Sequence, residues 1–315
     1  MTNRLRIVIQ VTLLHLLALS GSYAKAQQVT TTKAQQDNVI LGVLEDGPGK
    51  SPDQSDIWFV RVVFEKDGDN WRAFPTQTKS YHDLPTLTGS YPKEVTWTIA
   101  FDGRNLGKIT SQTQQQYRYY SEIGMEYITS HGPVPSVGKK SADYAGFFLV
   151  SPVYRPLVAV SQPNFSDPEQ WKRAVLAPEL IAAARQQFRN KFPKVSNCKN
   201  PEENILRLWK YRDEDIHVTK AYSSKDGWSL IEMNLTSYAC DGPYNGTGFI
   251  GQWYVMDSSA KVKYLGTDMW LVDTGDYDND GKSEILFSID GYNEGGYRLF
   301  YRNFSRSAEF VFHYH

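Results

Sequence analysis

Short runs of apolar and aromatic residues, several of them joined by Asp-Gly turns, recur along the 315-residue chain and constrain its fold. The segment IWFVRVVFEKDGDNWRAFP predicts two strands around Gly68, and VTWTIAFDGRNLGKIT predicts a second hairpin around Gly103. IHVTKAYSSKDGWSLIEMNL predicts a third hairpin around Gly227. Asp-Gly favours these tight turns because both residues tolerate positive φ angles. With 20 Tyr, 15 Phe and 8 Trp, the composition also favours strands. We therefore predict a mainly β fold built of antiparallel sheets.

One helix is predicted to interrupt the strands. Pro178 suits the first position of a helix, and Pro193 ends the pattern. The residues that follow helical spacing are Leu180, Ile181, Ala184, Phe188 and Phe192. The helix therefore separates two β-rich regions.

We expect an N-terminal β-rich domain at residues 39–161, a helical connector at 162–197 and a C-terminal β-rich domain at 198–315. The boundary between the two β-rich domains could fall anywhere within the connector. The sequence contains no clean internal repeat, so a propeller-like arrangement of the strands stays open as an alternative but is not supported by repeats.

The first 26 residues have the pattern of a secretory signal peptide. Arg4 and Arg6 precede a largely apolar run at residues 7–19, and Ala24-Lys25-Ala26 fits a small-x-small cleavage site. The run is too short for the alternative, a membrane anchor, and no later run approaches membrane length. We expect an exported protein, periplasmic or extracellular, with no transmembrane segment in the mature chain. Residues 27–38 are rich in Gln and Thr and predict a flexible leader.

Cys198 and Cys240 are the two cysteines of the sequence. Export would place them in an oxidising compartment, so we predict a disulfide between them. It would close a loop of about 42 residues and stabilise the fold by about 4 kcal/mol in the chain-entropy model. Two free buried thiols are the alternative.

The sharpest chemical signal is the acidic stretch GDYDNDGKSE at residues 275–284. Acidic side chains stand at positions 1, 3, 5 and 9 of a loop, and Gly281 at position 6 permits a sharp turn. Oxygen ligands in this pattern suit calcium, a hard cation. The predicted ligands are Asp276, Asp278, Asp280, the backbone carbonyl of Lys282, and Glu284. We predict one structural calcium ion; a solvated acidic turn, or an ion with a catalytic or ligand-bridging role, is the alternative.

In its strand context, GDYDNDGKSEILFSI resembles the calcium loop of the FG-GAP and VCBS repeats, best known from integrin α-subunit propellers. In that family a loop of the form D-x-D-x-D-G-x-x-D/E joins two strands of a sheet, and the resemblance implies the same five ligands here. The sequence has a single copy. More widely, TWTIAFDGRNLG together with VDTGDYDNDGKSEILF resembles a group of uncharacterised bacterial secreted proteins, which implies no particular activity.

No catalytic signature accompanies the acidic loop, because the chain lacks HExxH, GxSxG and P-loop motifs. The net charge of -1 gives no electrostatic footprint for nucleic acid. The leading interpretation is an exported, non-enzymatic binding or interaction protein with an unknown protein or glycan ligand. The alternative is a secreted hydrolase acting on glycans or esters, since an acid pair is assembled in space rather than in sequence. Aromatic residues from Tyr117 to Tyr127 could form a sugar-stacking platform or a strand core.

Overall fold

Antiparallel pairing between strands organises the protein throughout the part of the chain that its computed structural model describes. That part comprises residues 39–46, 58–76, 94–111, 118–120, 124–128, 156–197, 207–235, 249–291 and 294–313. Within these ranges the strands form antiparallel sheets, and none of the sheets closes into a barrel. The predicted mainly β fold is confirmed.

The first eight strands form one sheet. They are β1 (Ile40–Asp46), β2 (Trp58–Asp67), β3 (Asn70–Ala73), β4 (Thr96–Phe101), β5 (Arg104–Thr110), β6 (Arg118–Tyr120), β7 (Gly124–Ile128) and β8 (Leu157–Val160). Their order is β5-β4-β8-β1-β2-β7-β6, and β3 pairs with β2. The predicted hairpins β2–β3 and β4–β5 are confirmed, and Gly68 and Gly103 have φ angles of 54° and 65°.

The remaining strands form three further sheets. They are β9 (Lys172–Arg173), β10 (Val195–Asn197), β11 (Arg207–Trp209), β12 (Ile216–Ser223), β13 (Ser229–Leu235), β14 (Phe249–Met256), β15 (Val262–Gly266), β16 (Met269–Gly275), β17 (Glu284–Gly291), β18 (Glu294–Tyr301) and β19 (Arg306–His313). A five-stranded sheet has the order β15-β14-β13-β12-β9, and a four-stranded sheet runs β16-β17-β18-β19. Strands β10 and β11 form a small pair. The predicted hairpin around Gly227 is confirmed as β12–β13.

The predicted helix is also confirmed, as α1 (Pro178–Lys191), with Pro178 in its first turn. Ala184 and Phe188 are its buried residues, and they join the core of the five-stranded sheet. At the C-terminal end the N–H of Phe192 donates to the Phe188 carbonyl, and Pro193, which lacks an N–H, follows. One short 3-10 helix, Asp213–Asp215, precedes β12.

The four-stranded sheet buries residues on both of its faces. Leu286 of β17 joins the core that includes the eight-stranded sheet, whereas its neighbours Ile285 and Phe287 join the core shared with the five-stranded sheet. This alternation follows from the two-residue period of a strand. The four-stranded sheet therefore packs against both larger sheets, and Asn38–His315 form one compact unit. The predicted division of this unit into two β-rich domains stays a prediction.

Several sequence-based expectations lie outside the described residues. These are the signal peptide at 1–26, the leader at 27–38 and the disulfide between Cys198 and Cys240, all of which stay predictions. In the stretch from Tyr117 to Tyr127, Met125 and Tyr127 are fully buried in the core, as expected for a strand core. Within the described ranges the helical segments are too short or too polar to cross a membrane.

Candidate metal site

The acidic loop connects β16 to β17 in the four-stranded sheet. Gly275, the last residue of β16, pairs with Glu284, the first residue of β17, so the sheet itself closes the loop. Between them Asn279 and Gly281 adopt positive φ angles of 57° and 85°. A Cβ on Gly281 would meet no atom within 4 Å, so glycine is favoured there by backbone conformation rather than by space.

Three of the five predicted ligands converge inside this loop. Ligand oxygens of Asp276, Asp278 and Glu284 all lie within 4.8 Å of one another. Asp276 is 6% exposed and Glu284 is 2% exposed. Asp278 is half-buried as a residue, although its side chain is only 2% exposed. We refer to these three residues as the acidic triad.

Backbone N–H groups of the loop orient the carboxylates of the triad. Asp276 accepts hydrogen bonds from Asp280 N–H at 3.0 Å and from Gly281 N–H at 2.9 Å. Glu284 accepts one from Tyr277 N–H at 2.9 Å through Oε2. These bonds wrap the loop around its own acidic groups, because each donor and its acceptor lie at most seven residues apart.

The other two predicted ligands lie on the exposed side of the loop. Asp280 is exposed, and its Oδ1 accepts a hydrogen bond from Lys282 N–H at 2.8 Å. The Lys282 ammonium lies 3.7 Å from the Asp226 carboxylate, which belongs to the turn between β12 and β13. The structure therefore groups Asp276, Asp278 and Glu284 and leaves Asp280 outside the triad. That the Lys282 carbonyl is a ligand stays a prediction.

A lysine that the sequence analysis did not identify contacts the triad. The Lys66 ammonium, from the end of β2 in the eight-stranded sheet, forms an ion pair with Asp278 Oδ2. It also lies 5.3 Å from the centroid of the Trp71 ring, and its side chain is 17% exposed. Lys66 and Asp278 are 212 residues apart in the chain, so no local pattern could have indicated this contact.

The segment that precedes β9 supports the loop from another side. Asp276 N–H donates to the Ser166 carbonyl at 2.9 Å. The Phe165 ring packs so closely over the start of the loop that a Cβ on Gly275 would lie 2.2 Å from its Cζ atom. Gly275 is therefore required for the close approach of this aromatic ring.

Asp167 ties the same segment to both ends of the loop. Its carboxylate accepts hydrogen bonds from the Ser283 hydroxyl at 2.6 Å and from the Thr274 hydroxyl at 3.3 Å. It also accepts from three successive backbone N–H groups, those of Glu169, Gln170 and Trp171 at 3.2, 3.0 and 2.7 Å. One side chain thus fixes the turn that follows it and the residues that flank the triad.

The electrostatics of the triad favour a bound cation. Burial raises the pKa of Glu284 well above its ordinary value, the charge of Asp278 raises it further, and the Tyr277 N–H opposes the shift. Burial also raises the pKa of Asp276, against the hydrogen bonds from Gly281 and Asp280. The three triad carboxylates, if ionised, and the Lys66 ammonium would together carry a net charge of −2; the charge of Asp280 adds to it, but Asp280 is exposed and solvent screens its charge. A divalent cation would balance this net charge, and carboxylate oxygen is the ligand type that calcium prefers.

A second acidic group near the loop is a buried glutamate. Burial raises the pKa of Glu169, while a hydrogen bond from Trp171 Nε1–H to its Oε2, 3.0 Å long, lowers it. Trp171 in turn packs edge-on against Phe304, with ring centroids 6.0 Å apart. No local sequence pattern identifies Glu169, because its burial depends on packing between segments that are distant in the chain.

Comparison with known proteins identifies no relative: no protein-family model, no curated protein and no solved structure matches this chain.

Proposed function

We propose that this protein is an exported, non-enzymatic binding or interaction module in which the loop Asp276–Glu284 binds one structural calcium ion. The observation that carries the calcium proposal is the convergence of three carboxylates within 4.8 Å in a loop joining two strands. The charge of −2 left by the triad and Lys66 supports a divalent ion.

The burial of the triad supports a structural role for the ion. At most 6% of Asp276 and Glu284 is exposed, and Asp278 is covered by Lys66. In zinc proteins, catalytic sites keep a coordination position open for water or substrate, whereas structural sites are closed by protein ligands, and we apply the same distinction here. An ion held among these side chains would have little access to a substrate.

The position of the loop indicates what the ion would stabilise. Lys66 comes from the eight-stranded sheet, and Ser166 and Asp167 come from the segment before β9. An ion that fixes the conformation of the loop would favour its packing against the segment before β9, whereas the contact with the eight-stranded sheet is made by the Lys66 ion pair itself. The ion would therefore stabilise the packing of the loop against this segment.

A secreted hydrolase acting on glycans or esters is the second candidate, and one observation favours it. Glu169 is a buried acid with a raised pKa, which is the property of a general acid. The negative charge of Asp226 also contributes to the raised pKa of Glu169, after burial. Hydrolysis of a glycan or ester panel by the wild-type protein, abolished in Glu169→Gln, would favour this second function over the first.

Calorimetry and thermal unfolding, each in calcium and in chelator, test the calcium proposal. Extracellular calcium modules bind with a Kd of about 10⁻⁴ to 10⁻³ M. At about 1 mM calcium, mass action then adds about 0.4–1.4 kcal/mol to the free energy of unfolding. The expected rise in Tm is a few degrees at most for a protein of this size.

Two variants make the test specific to the loop. Asp278→Ala should abolish the calcium-induced rise in Tm, because it removes a member of the triad. Asp226→Ala removes a carboxylate that pairs with Lys282 but does not belong to the triad, so the rise should persist. If wild-type protein shows neither a heat of calcium binding nor a rise in Tm, the loop is only a charged turn.

A further inference from the structure

We infer that Lys66 is a built-in counter-ion that sets the charge selectivity and lowers the affinity of the calcium site. The inference rests on the calcium function proposed above and adds a residue outside the loop. Lys66 holds its ammonium against Asp278 Oδ2, an oxygen of the triad. The triad thus already faces one cation that the protein itself provides.

The first consequence concerns which ions fit. The charges of three ionised triad carboxylates and the Lys66 ammonium sum to −2, which a divalent ion neutralises. Without the ammonium, the charge of the three carboxylates is −3, which a trivalent ion would balance better than a divalent ion. Uncompensated charge is costly in a buried site, so Lys66 disfavours trivalent ions relative to calcium.

The second consequence concerns affinity. A positive charge next to the triad repels an incoming cation, and Lys66 also stabilises the calcium-free form because it pairs with a buried carboxylate. Both effects weaken calcium binding.

The key variant is Lys66→Gln, which removes the charge and keeps a donor of hydrogen bonds to Asp278. Calcium affinity, measured by calorimetry, should increase by at least about fivefold. Terbium(III) affinity, measured by luminescence sensitised by Tyr and Trp, should increase more. Coulomb energy is proportional to the charge of the ion. The logarithm of the fold-change in terbium affinity should therefore be about 1.5 times the logarithm of the fold-change in calcium affinity.

Two further variants separate charge from structure. Lys66→Arg keeps the charge and should bind calcium within about twofold of wild type, since its charge is unchanged. Lys108→Gln makes the same substitution at an exposed position of β5, in the same sheet as Lys66 but outside the acidic loop, and should also change affinity by less than about twofold. If Lys66 only supported the fold of the site, Lys66→Gln would instead bind both ions more weakly than wild type does.

The outcomes distinguish the two proposals. If wild type binds calcium and Lys66→Gln binds it with equal or lower affinity, the role of Lys66 is refuted and the calcium site stands. If wild type binds no calcium, both proposals are refuted. Should Lys66→Gln fail to fold, NMR of the lysine ammonium groups in wild type replaces it: calcium must shift the Lys66 signal, and an unchanged signal overturns the inference.

Discussion

The ring of Tyr277 stacks on the ring of Phe165, with centroids 5.6 Å apart and planes inclined by 16°. Tyr277 stands between two members of the acidic triad, yet it is fully buried and belongs to the core that includes the eight-stranded sheet. The loop is therefore anchored by an apolar contact as well as by its charges. Its acidic side chains are held in place even before an ion is considered.

Tyr277→Ala should destabilise the protein by about 3–5 kcal/mol, because it leaves a cavity where a large aromatic ring was buried. Urea-induced unfolding in the presence of chelator measures this change without a contribution from calcium. Val175→Ala, at a fully exposed position, is the control and should change the free energy of unfolding by less than about 0.5 kcal/mol. A loss below about 1 kcal/mol for Tyr277→Ala would show that the ring is not a core anchor.

The hairpins could be predicted from sequence because each is encoded locally. Asp102 and Gly103 both have positive φ angles, as an Asp-Gly turn requires, and the apolar residues on either side mark the strands. The order of strands in the sheet could not be predicted in this way. The segment RPLVAVSQ predicts a strand, and β8 is there, but its place between β4 and β1 depends on contacts far apart in the chain.

Gly281→Ala tests the turn of the loop. The φ angle of 85° is unfavourable for alanine, and the expected loss in the free energy of unfolding is about 1–2 kcal/mol. Calcium affinity should fall severalfold, because the turn directs an N–H group to Asp276. Both changes are measured by chemical denaturation and by calorimetry.

Gly68→Ala is the matched control for this variant. Gly68 also has a positive φ angle and open space where a Cβ would stand, but it lies in the β2–β3 turn, outside the acidic loop. It should lose comparable stability and keep its calcium affinity. Equal calcium affinities for wild type and Gly281→Ala would contradict the idea that this turn shapes the site.

Asp167→Ala tests the support of the loop by the preceding segment. The substitution removes one acceptor for three backbone N–H groups and two hydroxyl groups, so we expect a loss of about 2–4 kcal/mol in chemical denaturation. Asp257→Ala removes a similar carboxylate from the exposed β14–β15 turn and should cost less. Equal losses for the two variants would mean that Asp167 only closes a surface turn.

The candidate site shows the same limit of sequence-based prediction as the sheet order. Asp276, Asp278 and Glu284 can be identified because one continuous segment supplies them with a recognisable spacing. Lys66 and Asp167 cannot, since they reach the loop from residues 212 and 116 positions away. Supporting contacts of this kind follow from tertiary packing, which leaves no local spacing to detect.

The raised pKa of Glu169 determines the direction in which the stability of the protein changes with pH. Burial is the main cause, so the folded protein holds the proton to a higher pH than the unfolded chain does. Between the two pKa values the folded state binds more protons, and stability therefore falls as pH rises. At a pH below the ordinary carboxyl pKa, Glu169 is protonated in both the folded and the unfolded state, and the cost of burying its charge is absent.

Glu169→Gln should therefore gain stability relative to wild type as pH rises from about 4 to 7, because the amide is never charged and its oxygen can still accept from Trp171. At the acidic end the two proteins should be nearly equal. Urea denaturation across this pH range measures the difference. Glu179→Gln, on the exposed first turn of α1, is the control and should show no such gain. If Glu169→Gln is less stable than wild type at pH 7, the glutamate is ionised in a favourable ion pair and the predicted sign is wrong.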